Sequence, residues 1–238
     1  MESESWSLWR QGMVRTIAFD AAPHAPPRWT AAMDLRAGRA EVRWDSRMEY
    51  ARSSGALVEN LLAFNLDRFL TLYRLAESGS GMLVHGAATD FSGQGWLFMG
   101  RSGHGKSTLS NLLHQTQTAL VLSDERAVVR KLKNGFWLCG TPWPSSAGFA
   151  KAAVCPLRGL VFLEHGTQNE LIPLKPPEAL RRLLVVSSCP WHDKDIFDPL
   201  VTLGGELAQT LPAWELRFLP NASVTEFLRE RLAGKRSG

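Results

Sequence analysis

The residues whose types and spacing best suit chemistry form one continuous stretch, Gly100-Arg101-Ser102-Gly103-His104-Gly105-Lys106-Ser107-Thr108. This stretch matches the phosphate-binding pattern G-x-x-x-x-G-K-[ST] in full. Its glycines let the backbone turn tightly, so that successive N–H groups point at phosphate oxygens, and a helix beginning at Lys106 adds its positive N-terminal end. The Lys106 ammonium would reach the β- and γ-phosphates, and the Ser107 hydroxyl would bind Mg²⁺. The stretch therefore predicts a site for a nucleoside triphosphate.

The surroundings of this stretch favour that prediction over a structural glycine turn. An apolar strand at residues 96–99 leads into it and a helix at residues 106–115 follows, in the order that the motif requires. His104 is interpreted as a variable position of the loop rather than a catalyst. The residues expected to contact the nucleotide are Gly100, Ser102, Gly103, His104, Gly105, Lys106, Ser107 and Thr108.

An acidic pair, Asp124-Glu125, follows the next apolar strand, and Asp124 comes 18 residues after Lys106. That spacing leaves room for one short helix and a turn, so we expect the acid-bearing strand to lie beside the loop strand. Neighbouring residues of a strand point to opposite sides, so one acid would face the metal and the other the incoming hydroxyl. Alone, the pair would indicate a solvated strand end. The upstream loop favours the functional interpretation, and which acid is the main metal ligand stays open.

His85 lies in an apolar strand at residues 82–89, which precedes the loop strand. A single histidine in such a strand is typical of a core residue with its hydrogen bonds satisfied. Adjacency to the loop strand would instead bring its imidazole within reach of the Asp124 carboxylate. The sequence leaves the two interpretations evenly balanced.

Hydrophobic periodicity predicts the elements that must position these residues. An N-terminal β unit and a long helix come first, and an Asn134-Gly135 dipeptide predicts a hairpin further on. Spacing typical of a capping box at residues 223–226 predicts the start of a last helix. The predicted strands are residues 14–19, 40–45, 82–89, 96–99, 119–122, 126–131, 136–139, 157–163 and 214–219, the predicted loop is 21–27, and the predicted helices are 56–77, 106–115, 177–186, 195–211 and 223–232.

The composition bounds the classes of protein. The chain has 238 residues, is 45% apolar and 21% charged, and carries a formal net charge of +4, which excludes a disordered chain and does not call for nucleic acid. No apolar run reaches the length of about 20 residues that crosses a bilayer, and the acidic N-terminus does not resemble a secretory signal. Three cysteines without C-x-x-C spacing indicate reduced thiols rather than a zinc site. We therefore expect a cytoplasmic protein with no membrane partner.

Together these residues resemble the bacterial HPr kinase/phosphorylase family, and the shorter HPr-kinase-related proteins of peptide-modification gene clusters more closely still. The resemblance rests on His85-Gly86, the stretch from Gly100 to Thr108, and Ser123-Asp124-Glu125. It continues through Gly140-Thr141-Pro142-Trp143-Pro144 and residues 156–164. One extra residue separates the loop from the acids relative to the usual family spacing.

The resemblance implies an α/β fold: a mixed-sheet P-loop core shared with the ATP-dependent phosphoenolpyruvate carboxykinases. Residues 1–80 would form a small N-terminal β unit with a long helix, and residues 81–238 the kinase core. It also implies ATP- and Mg²⁺-dependent phosphorylation of a serine hydroxyl. By position, Asp124 resembles the family's general base, His85 the histidine that supports it, and Glu125 a second aspartate that helps to hold the metal. Arg158 resembles an arginine on the substrate side.

Several functions stay open at this point. An ABC-type ATPase or a GTPase is excluded because their signature motifs are missing. A kinase of a small molecule such as free serine, and a non-catalytic ATP-binding module of a biosynthetic complex, remain as alternatives to a kinase of a protein or peptide. The nine tryptophans, Trp143 and Trp191 among them, also fit a protein-interaction surface. The expected partner is a protein or peptide with a hydroxyl group, and a homo-oligomer is left open.

Overall fold

The computed structural model describes residues 5–20, 27–44 and 66–232. The chain divides into two compact units, Met1–Glu77 and Ser78–Gly238. The predicted loop at residues 21–27 lies almost wholly outside the described residues, as does the first half of the helix predicted at 56–77.

The first unit contains an antiparallel meander of four strands, each paired with the next: β1 (Ser5–Gln11), β2 (Val14–Asp20), β3 (Pro27–Asp34) and β4 (Arg39–Trp44). Alternate residues of β3, Trp29, Ala31 and Met33, are buried, as expected for a sheet with one covered face. Helix α1 (Leu66–Glu77) contributes a buried apolar face. The sequence analysis predicted β2 and β4 and missed β1 and β3.

The second unit contains one sheet of eight strands. Its strands are β5 (Gly81–Asp90), β6 (Gly95–Met99), β7 (Leu120–Ser123), β8 (Arg126–Leu132), β9 (Gly135–Cys139), β10 (Val154–His165), β11 (Glu170–Pro173) and β12 (Ala213–Phe218). Strands β6, β10 and β12 run parallel to one another, whereas the other pairings are antiparallel. The sheet is therefore mixed, as predicted.

Two long strands change neighbours along their length and so bend the sheet. Residues 81–85 of β5 pair with β8, and residues 86–90 pair with β6. Residues 154–156 of β10 pair with β9, and residues 160–165 pair with β12. Each of the strands β5, β8, β9, β10 and β6 pairs with the next in this order, and β6 pairs with β5, so the five strands form a closed ring. His85 lies where β5 changes partner.

Four helices accompany this sheet: α2 (Lys106–Gln115), α3 (Pro176–Val186), α4 (Lys194–Thr210) and α5 (Ser223–Leu232). Helices α2 and α5 share one apolar core with the sheet, while α3 and α4 pack against each other and against β5. Members of the shared core are Phe98, Leu109, Leu113, Val161, Leu163, Leu216, Val224, Leu228 and Leu232. Burial of these side chains supplies the main force that holds the helices on the sheet.

Close packing at Gly159 brings β10 alongside β6. A Cβ atom on Gly159 would lie 2.3 Å from Cζ3 of Trp96 and 2.9 Å from Cζ3 of Trp214. The two indole rings lie with their centroids 5.5 Å apart. Only glycine leaves room for both rings, and β10 has a register shift at this point.

Two local expectations are wrong. Strand β7, which leads to the acids, pairs with β5 and not with the loop strand β6, because β5 lies between them. The capping box is not formed either: the Ser223 hydroxyl donates to Oδ1 of Asn221, and the Glu226 carboxylate pairs with Arg229. Helix α5 nevertheless begins at the predicted residue.

Candidate functional site

The glycine loop, residues 100–105, connects β6 to α2. Gly103 and Gly105 have φ angles of +85° and +86°, in the left-handed region that favours glycine. A Cβ atom on Gly105 would also lie 2.8 Å from Cζ of Phe218, at the end of β12. The amide of Leu109 donates to the Gly105 carbonyl at 2.8 Å, and the N–H groups of the first helical turn have no partner within the helix. These free donors are what a bound anion requires.

Lys106 is the first residue of α2, and its side chain folds back over the loop. Its Nζ donates to the Gly100 carbonyl oxygen at 2.7 Å and to that of Arg101 at 3.0 Å. Burial lowers the pKa of Lys106 from its ordinary value, the Glu125 carboxylate opposes this shift, and the Arg126 guanidinium adds to it. The ammonium is thus positioned inside the loop, where phosphate oxygens would replace the carbonyl groups.

His104 holds the glycine loop against β10. Its Nδ1 lies 3.0 Å from the Leu163 carbonyl oxygen and 3.4 Å from Oε2 of Glu164. With Gly100 it lines a cavity of about 300 Å³ beside α3, not the cavity that contains Lys106. The other six predicted nucleotide contacts line the cavity that contains Lys106, and the Gly100 carbonyl accepts a hydrogen bond from Lys106.

Asp124 is buried, with 1% of its surface exposed, although it directly follows the end of β7. Both carboxylate oxygens accept hydrogen bonds from one residue. Oδ1 accepts from the backbone N–H of Ser145 at 2.9 Å, and Oδ2 accepts from the Ser145 hydroxyl at 2.6 Å. That hydroxyl oxygen also lies 3.5 Å from Oγ of Ser107. Ser145 therefore bridges the acid and the first turn of α2.

Glu125 contacts His85, and this differs from the expected contact between His85 and Asp124. Nδ1 of His85 lies 2.9 Å from the Glu125 backbone carbonyl oxygen and 3.5 Å from Oε1 of its carboxylate. The cause is register: β5 and β8 pair His85 with Arg126, and the Gly86 N–H donates to the same Glu125 carbonyl. Burial and the Lys106 charge lower the pKa of His85, and the Glu125 carboxylate opposes them.

One cavity of about 240 Å³ gathers most of the predicted residues. It is lined by His85, Ser102, Gly103, Gly105, Lys106, Ser107, Thr108, Asp124 and Glu125. Over residues 5–20, 27–44 and 66–232, no group of three or more His, Cys, Asp or Glu side chains could hold a metal ion. A magnesium ion bound with a nucleotide needs no such group, because waters and phosphates supply most of its ligands. The Ser107 hydroxyl and the neighbouring carboxylates therefore fit a Mg²⁺–nucleotide complex.

The sequence predicts that the acceptor approaches across Thr141–Ser146 but gives Ser145 no role of its own. Ser145 lies in an irregular loop, residues 140–150, whose contact with Asp124 spans 21 residues, and no motif marks it. Arg158 lies outside the cavity that contains Lys106. Strand β10 runs parallel to β6 with Leu157 opposite Gly95, so Arg158 lies beside the start of β6, whereas the glycine loop follows its end.

The fold and site define a mixed α/β protein with a polar, glycine-lined cavity at a helix N-terminus. The family model of SynChlorMet cassette protein ScmC matches residues 58–195, more than half of the chain, and the chain belongs to that family. This match does not test the resemblance to HPr kinases, which stays a prediction. No curated protein matches the chain.

Among solved structures, the chain is similar to the Hpr(Ser) kinase/phosphatase from Coxiella burnetii. The two are 12% identical, the match covers 62% of this chain and 86% of that chain, and the TM-score is 0.35. A similarity at that level carries no argument about activity. No helix within the described ranges is long and apolar enough to span a bilayer.

Proposed function

We propose that this protein is an ATP- and Mg²⁺-dependent kinase that phosphorylates a serine-type hydroxyl of a protein or peptide. The observation that carries the proposal is the convergence of Lys106, Ser107, Asp124 and Glu125 on one cavity beneath the glycine loop. These residues come from the start of α2 and from the turn after β7. A glycine turn with a purely structural role would not require a buried ammonium and two carboxylates facing the same space.

The nucleotide would bind through the loop and α2. The free N–H groups of the first helical turn and the Lys106 ammonium hold the β- and γ-phosphates. Lys106 exchanges its bonds with the Gly100 and Arg101 carbonyls for bonds with phosphate oxygens. Ser102, Gly103 and Thr108 line the same cavity and complete the cradle.

The metal would be held by the Ser107 hydroxyl and a carboxylate of Asp124 or Glu125. When bound, Mg²⁺ neutralises charge on the phosphates and lowers the barrier to transfer. His85 orients Glu125 through its backbone carbonyl and faces its carboxylate. Asp124 and Glu125 line the same cavity, so either carboxylate could serve this complex.

Asp124 is the proposed general base. It accepts the proton of the acceptor hydroxyl while that oxygen attacks the γ-phosphorus, and ADP leaves. The carboxylate already accepts a hydroxyl hydrogen bond at 2.6 Å, which is the contact that such a base must make.

The described cysteines are all free, which fits the cytoplasm, where ATP is abundant and thiols stay reduced.

The test compares Asp124→Asn with the wild type, using the exposed Asp198→Asn as the matched control. We expect Asp124→Asn to bind ATP with unchanged affinity when no metal is present and to lose phosphoryl transfer by at least about 100-fold. Asp198→Asn should match the wild type in ATP affinity and in the rate of phosphoryl transfer. Transfer is followed by ADP formation and by mass spectrometry of the acceptor. Full transfer by Asp124→Asn would show that the base is assigned wrongly.

The choice of acceptors separates the proposal from its alternatives. The family description names a cassette protein, so the first acceptors to supply are the products of neighbouring genes, followed by serine-containing peptides and free serine. Phosphate on a protein or peptide supports the proposal, and phosphate on free serine alone supports a small-molecule kinase. ATP binding without ADP formation with every acceptor supports a non-catalytic ATP-binding module.

A further inference from the structure

The hydroxyl of Ser145 occupies the place that an acceptor hydroxyl would take. Its Oγ donates to Oδ2 of Asp124 at 2.6 Å and lies 3.5 Å from Oγ of Ser107. We propose that Ser145 is a phosphorylation site that the protein modifies itself, with a nucleoside triphosphate as the donor. This inference rests on the proposed function, because it uses the same loop and the same base.

Ser145 differs from the other hydroxyl groups near the acids. The hydroxyls of Ser123 and Thr141 are buried and donate to the backbone carbonyl of Arg126. Across the described part of the chain, Ser145 is the only hydroxyl with a hydrogen bond to the Asp124 carboxylate. Ser145 is half-buried, and its Oγ contacts two residues that line the cavity, Asp124 and Ser107.

The loop that carries Ser145 is anchored at both ends. The Gly140 N–H donates to the Ala153 carbonyl at 3.0 Å, and the Lys151 N–H donates to the Leu122 carbonyl at 2.8 Å. A Cβ atom on Gly140 would lie 2.1 Å from the Lys151 carbonyl oxygen, so the two ends approach closely. An anchored loop presents Ser145 to Asp124 at little cost in entropy, which raises the effective concentration of its hydroxyl at the site.

The reaction balances without any further reagent. Oγ of Ser145 attacks the γ-phosphorus of the triphosphate, and a new O–P bond forms. The bond between the γ-phosphorus and the β,γ-bridging oxygen breaks, and the nucleoside diphosphate leaves with that electron pair. The hydroxyl proton passes to Oδ2 of Asp124 and from there to water.

The experiment maps phosphate on the full-length protein. The chain is treated with a phosphatase, the phosphatase is removed, and ATP and Mg²⁺ are added. Intact mass and peptide mapping should then show one phosphoryl group on Ser145, formed at a rate independent of protein concentration. Ser145→Ala should lose this modification. The neighbouring exposed Ser146→Ala should keep it, and Asp124→Asn should lose it while still binding ATP.

The outcomes separate this inference from the proposed function. If the wild type phosphorylates an added protein, peptide or serine but Ser145 carries no phosphate, the inference is wrong and the kinase proposal stands. If ATP binds and neither Ser145 nor any acceptor is phosphorylated, both fail. A phosphoryl group mapped to another residue, with Ser145 unmodified, also overturns the inference. Rates that rise with protein concentration would show transfer between molecules and overturn modification within one chain.

Discussion

The imidazole of His85 faces Glu125, with Nδ1 at 2.9 Å from the backbone carbonyl oxygen and 3.5 Å from the carboxylate. A carbonyl oxygen only accepts, so Nδ1 carries the proton in this hydrogen bond. The contact orders the turn that follows β7, and Asp124 lies in the same turn. In the proposed site, His85 is therefore a positioning residue for the acidic pair.

Replacing His85 tests that role. We expect His85→Ala to raise the Mg²⁺ concentration needed for half-maximal activity by about 10- to 100-fold, as is typical when a residue that orients a metal ligand is lost. ATP affinity measured without metal should stay unchanged. His85→Asn keeps a hydrogen-bond donor for the Glu125 carbonyl, so its Mg²⁺ requirement should lie between those of the wild type and His85→Ala. An unchanged Mg²⁺ dependence in His85→Ala would contradict the assignment.

Lys106 tests the triphosphate site. Lys106→Met should weaken ATP binding by roughly 10- to 100-fold, because a charged hydrogen bond contributes about 1.5–3 kcal/mol. Isothermal titration calorimetry measures the change. Lys131→Met is the control, since Lys131 forms an exposed ion pair with Glu206 and lies outside the cavity. Equal losses of affinity in both variants would indicate a general effect of charge and not a phosphate contact.

Gly105 tests the geometry of the loop. We expect Gly105→Ala to lower the free energy of unfolding by about 2–3 kcal/mol, because a left-handed alanine is strained and its Cβ would meet the Phe218 ring. Gly148→Ala is the matched control: its φ is +81°, but no atom lies within 4 Å of the added Cβ. Gly148→Ala should lower the free energy of unfolding by about 1 kcal/mol. Urea denaturation compares the two, and equal costs would remove the role assigned to Phe218.

The reactivity of the Cys155 thiol tests how deeply this side chain is buried in the second unit. Burial raises the pKa of the Cys155 thiol to about 12, above the ordinary value of 9.0, with smaller contributions from Asp90 and Cys139. At pH 8 its thiolate fraction should therefore be about a thousandfold lower in the folded than in the unfolded chain. Alkylation followed by peptide mapping should show slow labelling that accelerates as the pH rises and on denaturation. Rapid labelling of the native chain at pH 8 would contradict this.

Local features were predictable from the sequence. The hairpin around Asn134-Gly135 is confirmed, and α2 begins and ends at the predicted residues. Both depend on neighbouring residues: a dipeptide that tolerates positive φ, and leucines at helical spacing after the glycine loop, Leu109, Leu112 and Leu113. The short edge strand β11 was missed because it has only two aliphatic residues, Leu171 and Ile172, and ends in a proline.

Pairing between strands that are far apart in the sequence determined the strand order and the contacts of the site residues. The sequence by itself determined a glycine loop before a helix and an acidic pair after a strand, because each is a contiguous pattern. Only the tertiary structure placed β5 between β6 and β7. In this arrangement His85 contacts Glu125, and the Asp124 carboxylate accepts hydrogen bonds from Ser145. Strand order and register depend on hydrogen bonds and packing between residues far apart in the chain, and no local pattern encodes them.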